Sequence, residues 1–116
     1  MFTRKERIST KVFQEVIQHN KTLYGSCVYI RYKENNLPYQ RFAVVVPKSV
    51  EKRAVHRNIL KRRVREYIKK YTEKLPLGYD FIFFVKSKDR SCIEKTLSFL
   101  FAQSQKELKN RENKVE

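Results

Sequence analysis

Two short stretches of this chain are too apolar to leave bare to water: residues 41–46 (RFAVVV) and 80–85 (DFIFFV). Runs of β-branched and aromatic residues of this length are strands, and a strand that is apolar at consecutive positions needs cover on both faces. The rest of the chain must therefore supply a sheet for them to join and helices to close over it. A length of 116 residues provides about one domain, so both runs belong to one sheet. The first is expected to be a central strand and the second another buried one.

The remaining pattern supplies those helices. Only two Gly and three Pro interrupt the sequence, and they fall between periodic segments, which describes one compact unit without linkers or internal repeats. Ser9 or Thr10 can cap a first helix over residues 10–20, whose apolar Val12, Phe13, Val16 and Ile17 share a face. Residues 27–32 (CVYIRY) read as a strand, and Asn35, Asn36 and Pro38 supply the turn after it. Beyond Pro47, Leu60, Val64, Tyr67, Ile68 and Tyr71 recur at helical spacing over residues 54–71, and residues 72–78 (TEKLPLG) close this helix. Ser91 and Glu94 match a capping box for a last helix with Ile93, Leu97, Leu100 and Phe101 as its buried stripe. Past about Leu108 the chain is polar, so residues 109–116 are expected to be a frayed tail of a single domain over 1–116. The order of helix, two strands, helix, strand and helix describes an α+β sandwich with helices packed on one small sheet.

Charge narrows the function. With 27 Lys+Arg against 12 Asp+Glu, the formal net charge is +15, which points to a polyanionic partner: nucleic acid or an anionic membrane surface. The longest uncharged apolar run, residues 81–85, is far short of the roughly 20 residues that span a bilayer. The charged N-terminus has no apolar stretch behind it. The amphipathic helix over 54–71 needs its apolar stripe to cover the sheet, which leaves none for a membrane surface. A soluble cytoplasmic protein without a membrane partner is expected. Cys27 and Cys92 show no metal-ligand spacing and no disulfide framework, and read as buried small hydrophobes.

The cations are concentrated. Between Lys48 and Lys70 lie ten Lys or Arg residues and only two acids, Glu51 and Glu66. At about 100° per residue, Asn58, Lys61, Arg62, Arg65 and Lys69 fall in one sector of the helix, with Arg57 at its edge against the apolar seam. An exposed charge run is usually a solvated face, but such faces mix both signs, and here acids are nearly absent. Guanidinium forks at a regular rise suit the spaced phosphates of a folded RNA. Nothing suggests a helix-turn-helix pair, zinc finger or zipper for DNA readout.

Catalysis by side chains finds no support. The two histidines, His19 and His56, lie on different helices, with capping or RNA contact the more natural use of His56. No nucleophile, metal or phosphate-loop motif appears, and no acid spacing implies a shared metal ion. Catalytic and metal-ligating residues are read as none.

The segment over residues 53–66 (RAVHRNILKRRVRE) resembles the signature helix of the bacterial ribonuclease P protein subunit. That family's helix carries an Arg-Asn-Arg core, then an apolar residue, Lys-Arg and a further Arg. Arg57, Asn58, Lys61, Arg62 and Arg65 match. Ile59 departs, standing where Arg or Lys is usual, so one RNA contact is either missing or supplied by Arg63. Ser49 also departs, where a second Lys commonly follows the first. The flanking order agrees over nearly the whole chain.

The resemblance implies an αβββαβα ribosomal-protein-type fold with a left-handed βαβ crossover through the basic helix. It also adds a short fourth strand, near Leu23, that pattern alone does not place. It implies an accessory subunit of an endoribonuclease whose RNA subunit binds the catalytic magnesium ions and removes the 5′ leader of precursor tRNA. No obligate protein partner is implied. RNA-subunit contact carries over onto Lys48, Arg53, Arg57, Asn58, Lys61, Arg62 and Arg65. Leader contact is assigned to Phe13, Ile17, Tyr29 and Arg31, with plain core packing as the alternative for Phe13 and Ile17. Two other readings stand beside this one: a structural RNA-binding protein such as a small ribosomal protein, and, ranked last, a protein-only nuclease.

Overall fold

The computed structural model describes residues 7–18, 20–71, 75 and 77–114, with side chains up to residue 103. Three helices and four strands run in the order α1 (Thr10–Gln18), β1 (Lys21–Leu23), β2 (Val28–Glu34), β3 (Arg41–Val45), α2 (Ala54–Tyr71), β4 (Tyr79–Val85) and α3 (Arg90–Lys114). The fold class is α+β, as the sequence implied. The strands form one sheet in the order β1-β2-β4-β3. β4 runs antiparallel to β2 and parallel to β3, so β3, α2 and β4 make a crossover between adjacent parallel strands.

This order corrects the expectation for residues 41–46. The interior strands are β2 and β4, and β3 lies at the end of the sheet order. Its burial alternates, with Phe42 and Val44 buried and Ala43 and Val45 half-buried. Its outer side is partly occupied by a parallel bridge between Arg7 and Phe42, which explains how so apolar a strand sits there without a bare edge. The fourth strand is β1, three residues long, with Leu23 opposite Ile30. It is too short to leave a periodic signal.

Strand alternation divides the sheet into two faces. Ile30, Tyr32, Phe42, Val44, Phe81, Phe83 and Val85 point to one face and form the main core with Leu60, Val64 and Ile68 of α2 and Ile93, Leu97, Leu100 and Phe101 of α3. Phe42 and Phe81 stack at 5.8 Å between ring centroids, and Phe83 meets Phe101 at 6.1 Å. The other face carries Tyr29, Arg31, Asp80, Ile82 and Phe84. α1 covers this face, with Val16 and Ile82 fully buried and Phe13 against Phe84.

The helix starts follow capping chemistry. Ser9 caps α1, its Oγ accepting from the Val12 N–H at 3.3 Å. For α3 the cap is Asp89 rather than the expected Ser91: its Oδ1 accepts from the Ser91 and Cys92 N–H groups at 3.1 and 3.3 Å. A carboxylate there satisfies two helical donors and opposes the positive end of the dipole. α1 ends at Gln18 instead of 20, and His19 lies outside the described residues, as do 72–74 and 76 of the linker. α3 runs on to Lys114, past the expected end near Leu108. Its Gln, Lys, Glu and Arg residues are good helix formers that need no burial to continue a helix.

The turn after β2 is held by side chains. Asn35 Oδ1 accepts from the Leu37 N–H at 2.8 Å, and Asn36 takes a positive φ of 58°, which asparagine tolerates better than most residues. Asp80, 2% exposed, receives Arg41 Nε at 2.7 Å and Nη2 at 2.8 Å, and Asn35 Nδ2 at 2.9 Å. Arg41 and Asp80 are partners in the strand register, so this two-point ion pair fixes the alignment of β3 on β4.

Cys27 and Cys92 are not the separate buried hydrophobes expected from spacing. They form a disulfide with Cα atoms 6.1 Å apart, tying the start of β2 to the first turn of α3. A sequence separation of 65 residues makes the tie entropically significant, because the cross-link restricts the unfolded chain. Loop entropy assigns it about 4 kcal/mol. Urea denaturation with and without reductant should show the reduced protein less stable by roughly 2–4 kcal/mol. Superimposable curves would show that the pair contributes no such cross-link.

Candidate nucleic-acid interface

α2 is the expected basic helix, with the expected bounds Ala54–Tyr71. Leu60, Val64 and Ile68 are buried against the sheet, and Asn58, Arg62 and Lys69 are exposed, with Lys61 and Arg65 half-buried beside them. The structure thus places the predicted sector on one flank of a helix whose opposite side is fixed by packing. Ile59 faces away from this sector, toward a recess it shares with Glu51, His56, Leu60, Arg63, Lys88 and Arg90. Its side chain is half-buried. Arg63, one turn further on, brings the nearest cation on α2 to that flank.

The segment before α2 is organised by two charged side chains. Residues 47–50 form a turn in which the Val50 and Glu51 N–H groups donate to Pro47 O at 3.0 and 3.2 Å, leaving Lys48 exposed. Arg57 reaches back, its Nη1 donating to Lys52 O at 2.8 Å and to Glu51 O at 3.2 Å. This predicted RNA contact therefore also fastens the loop that presents Arg53. Glu51 Oε1 accepts from the Arg53 N–H at 3.1 Å, and Glu51 Oε2 lies 3.3 Å from Lys88 Nζ. These contacts hold the Glu51 carboxyl below its usual value of 4.5, the Arg53 N–H first among the causes, with desolvation opposing and Lys88 assisting.

The second surface lies on the opposite face of the sheet. Tyr29 and Phe84 are partners across β2 and β4, and their rings stack at 4.8 Å between centroids and 4° between planes. Phe13 of α1 approaches Phe84 at 6.4 Å. The Arg31 guanidinium lies 5.4 Å from the Phe84 centroid and 5.7 Å from that of Tyr29, within cation–π range. Phe13, Ile17, Tyr29, Arg31 and Phe84 are all half-buried. Val16 is the α1 residue fully buried in the core, and Phe13 and Ile17 flank it, partly packed and partly open. Arg31 Nε is buried with no acceptor among the described residues.

Sequence reasoning missed Phe84, read only as part of a buried strand. The signal was present in alternation, since 80, 82 and 84 share a face, but that this face is partly open became visible only from register and helix placement. It also missed Tyr24 and Lys86, whose ring and charge adjoin Tyr29.

Among the described residues no three His, Cys, Asp or Glu converge, and the buried carboxylate of Asp80 is occupied by Arg41 and Asn35. Among the described residues no helix is long and apolar enough to cross a membrane.

Known proteins agree with this architecture. A family model described as Ribonuclease P matches residues 2–110. The ribonuclease P protein component of Petrotoga mobilis is 37% identical over 83 residues, 71% of this chain and 70% of that protein. The corresponding component of Mycoplasma capricolum is 33% identical over 98 residues, covering 84% and 89%. Among solved structures, the RNase P protein from Thermotoga maritima superposes with a TM-score of 0.68 at 26% identity, over 77% of this chain and 90% of that one. The Staphylococcus aureus RNase P protein shares the fold with a TM-score of 0.71 at 23% identity, over 81% and 90%.

The depressed Glu51 carboxyl sets a pH dependence. Its stabilising contribution is fully present above the ordinary carboxylate range and is lost as pH falls through the lowered folded value. Thermal melts of the wild type and Glu51→Gln should differ at about pH 7 and converge in acid, as the pH falls through the lowered value of the folded carboxyl. A difference that persists in acid would separate the effect from carboxylate ionisation.

Proposed function

The chain belongs to the ribonuclease P protein family and is a protein component of that tRNA 5′-processing endoribonuclease, and from this premise we propose how its two surfaces divide the work. The basic sector of α2 docks on the ribonuclease P RNA. Asn58, Lys61, Arg62 and Arg65 meet its backbone directly, Lys48 and Arg53 extend the contact from the preceding turn, and Arg57 both contacts RNA and braces that turn. The aromatic surface of Phe13, Ile17, Tyr29, Arg31 and Phe84 receives the single-stranded 5′ leader of precursor tRNA.

The observation that carries the second assignment is the half-exposed Tyr29–Phe84 stack with Arg31 beside it. Unpaired bases stack on aromatic faces with about 1–3 kcal/mol per base, largely independent of sequence. A guanidinium next to the rings adds attraction for the phosphate that follows each base.

The chemistry itself falls to the RNA. In this reading the catalytic magnesium ions are held by the RNA, and the protein acts by neutralising repulsion between two polyanions and positioning the substrate. On the same reading the chain works in the cytoplasm, with the RNA subunit and precursor tRNA as its partners and no obligate protein partner.

At low magnesium, the protein alone should be inert and should restore accurate 5′ cleavage of precursor tRNA to a bacterial ribonuclease P RNA. RNA binding without stimulated cleavage would count against the leader assignment. Arg62→Ala with Arg65→Ala should lower affinity for the RNA subunit and flatten the plot of log affinity against log salt by about one to two units, one for each phosphate no longer neutralised. An unchanged slope would move the docking face elsewhere. Arg57 is left out of that pair because its removal would also release the turn before α2.

A further inference from the structure

We propose that the aromatic surface does not stop at Tyr29: Tyr24 and Lys86 form an outer step that stacks a second unpaired nucleotide of the leader, next along the chain from the one on Tyr29 and Phe84. The proposal rests on the leader-binding reading above and deepens it.

Tyr24 directly follows β1. Leu23 points into the main core at 3% exposure, so alternation turns Tyr24 to the opposite face, the face of Tyr29 and Phe84. There the Tyr24 ring stands 6.4 Å from that of Tyr29, with 30° between planes, and the residue is 75% exposed. So open a tyrosine covers no core. It continues the ring series Phe13, Phe84, Tyr29 outward by one member, and the wider, splayed last spacing leaves a ring face for a base.

The step carries its own cation. Lys86 Nζ lies 5.9 Å from the Tyr29 centroid and donates to Gly25 O at 3.4 Å, so its charge sits at the junction of the two tyrosines. Arg31 stands on the other side of Tyr29. Tyr24, Tyr29, Arg31, Phe84 and Lys86 include no carboxylate, a composition that matches a polyanionic strand with exposed bases.

Tyr24 is also presented from a braced loop. A Cβ at Gly25 would collide with Thr96 Cγ2 and come within 2.5 Å of Val28 O, so only glycine permits this approach to α3. Ser26 Oγ and Thr96 Oγ1 share a hydrogen bond at 3.1 Å, Lys86 N donates to Cys27 O at 2.7 Å, and Cys27 is bonded to Cys92. A ring held on such a loop loses little freedom when a base lands on it.

The test uses the holoenzyme, reconstituted from a bacterial ribonuclease P RNA and this protein, with mature tRNA and precursors whose leaders lengthen one nucleotide at a time. Tyr24→Ala should weaken binding about 5- to 10-fold, the lower end of the range for one base stack at an exposed position, and only for leaders long enough to pass the Tyr29 step. Tyr24→Phe should retain the affinity, and the thermal melt of Tyr24→Ala should match the wild type. A 2-aminopurine walked along the leader should be quenched at two successive positions, the outer one released by Tyr24→Ala. Should Tyr24→Ala bind every leader like the wild type while Tyr29→Ala loses affinity, the surface ends at Tyr29 and the inference fails alone. If Tyr29→Ala has no effect either, the leader-binding reading itself fails. Equal weakening for mature tRNA or for assembly with the RNA subunit would assign Tyr24 to another contact and overturn the proposal.

Discussion

The position of β4 in the middle of the sheet governs the rest of the molecule. It is paired on both sides, by β2 and β3, and six of its seven residues are buried. A strand so placed needs cover above and below, and the chain provides it unequally. α2 and α3 together close one face around Phe81 and Phe83, whereas among the described residues α1, nine residues long, is the only helix on the other. Nine residues span about 13 Å, enough to seal Ile82 beneath Val16 but not the whole face. The part left half-open is where Phe84, Tyr29 and Arg31 stand. The aromatic surface is thus a consequence of covering a central strand with one short helix.

The same geometry separates the two charged surfaces. α2 spends its apolar side on the sheet, which forces its Lys and Arg residues into solvent on the flank where an RNA can approach. The rim of α1 lies across the sheet from it. On the proposed function, two polyanions are held on different sides of one small body without competing for the same cations, and the net charge of +15 lowers the repulsion between them. Two of the acids serve structure by pairing with cations. Asp80 locks β3 to β4 through Arg41, and Glu51 ties the turn before α2 to Lys88.

Close approach between β2 and α3 stabilises the rim. Gly25, the Ser26–Thr96 hydrogen bond and the Cys27–Cys92 bond all connect the residues after β1 to the first turns of α3. They lie at the edge of the main core, to which Cys27 belongs, behind the strand that carries Tyr29. A binding surface made of rings needs those rings held at fixed angles, and these contacts supply that support from the opposite side of the sheet.

Much of this was legible in the residues. Helical periodicity placed α2 to the residue, because a stripe such as Leu60, Val64 and Ile68 repeats with the helix itself, and the scarcity of acids marked its outer flank as strongly cationic. The apolar runs located β3 and β4, and the motif from Arg57 to Arg65 carried the family. What pattern could not supply were relations between distant segments. Strand order decided that β4 and not β3 is central, since an edge strand bridged by Arg7 is as apolar as a buried one. Cys27 and Cys92 lie 65 residues apart, so nothing local announces their bond, and Asp89 outcompeted Ser91 as a cap through a geometry that spacing does not contain. Sequence by itself determined which segments fold as helix or strand and which of them carry charge, because those depend on neighbours along the chain. Only the tertiary structure decided that Phe13, Phe84, Tyr29 and Tyr24 meet on one open face, because cross-strand register and the reach of α1 bring together side chains that share no local pattern.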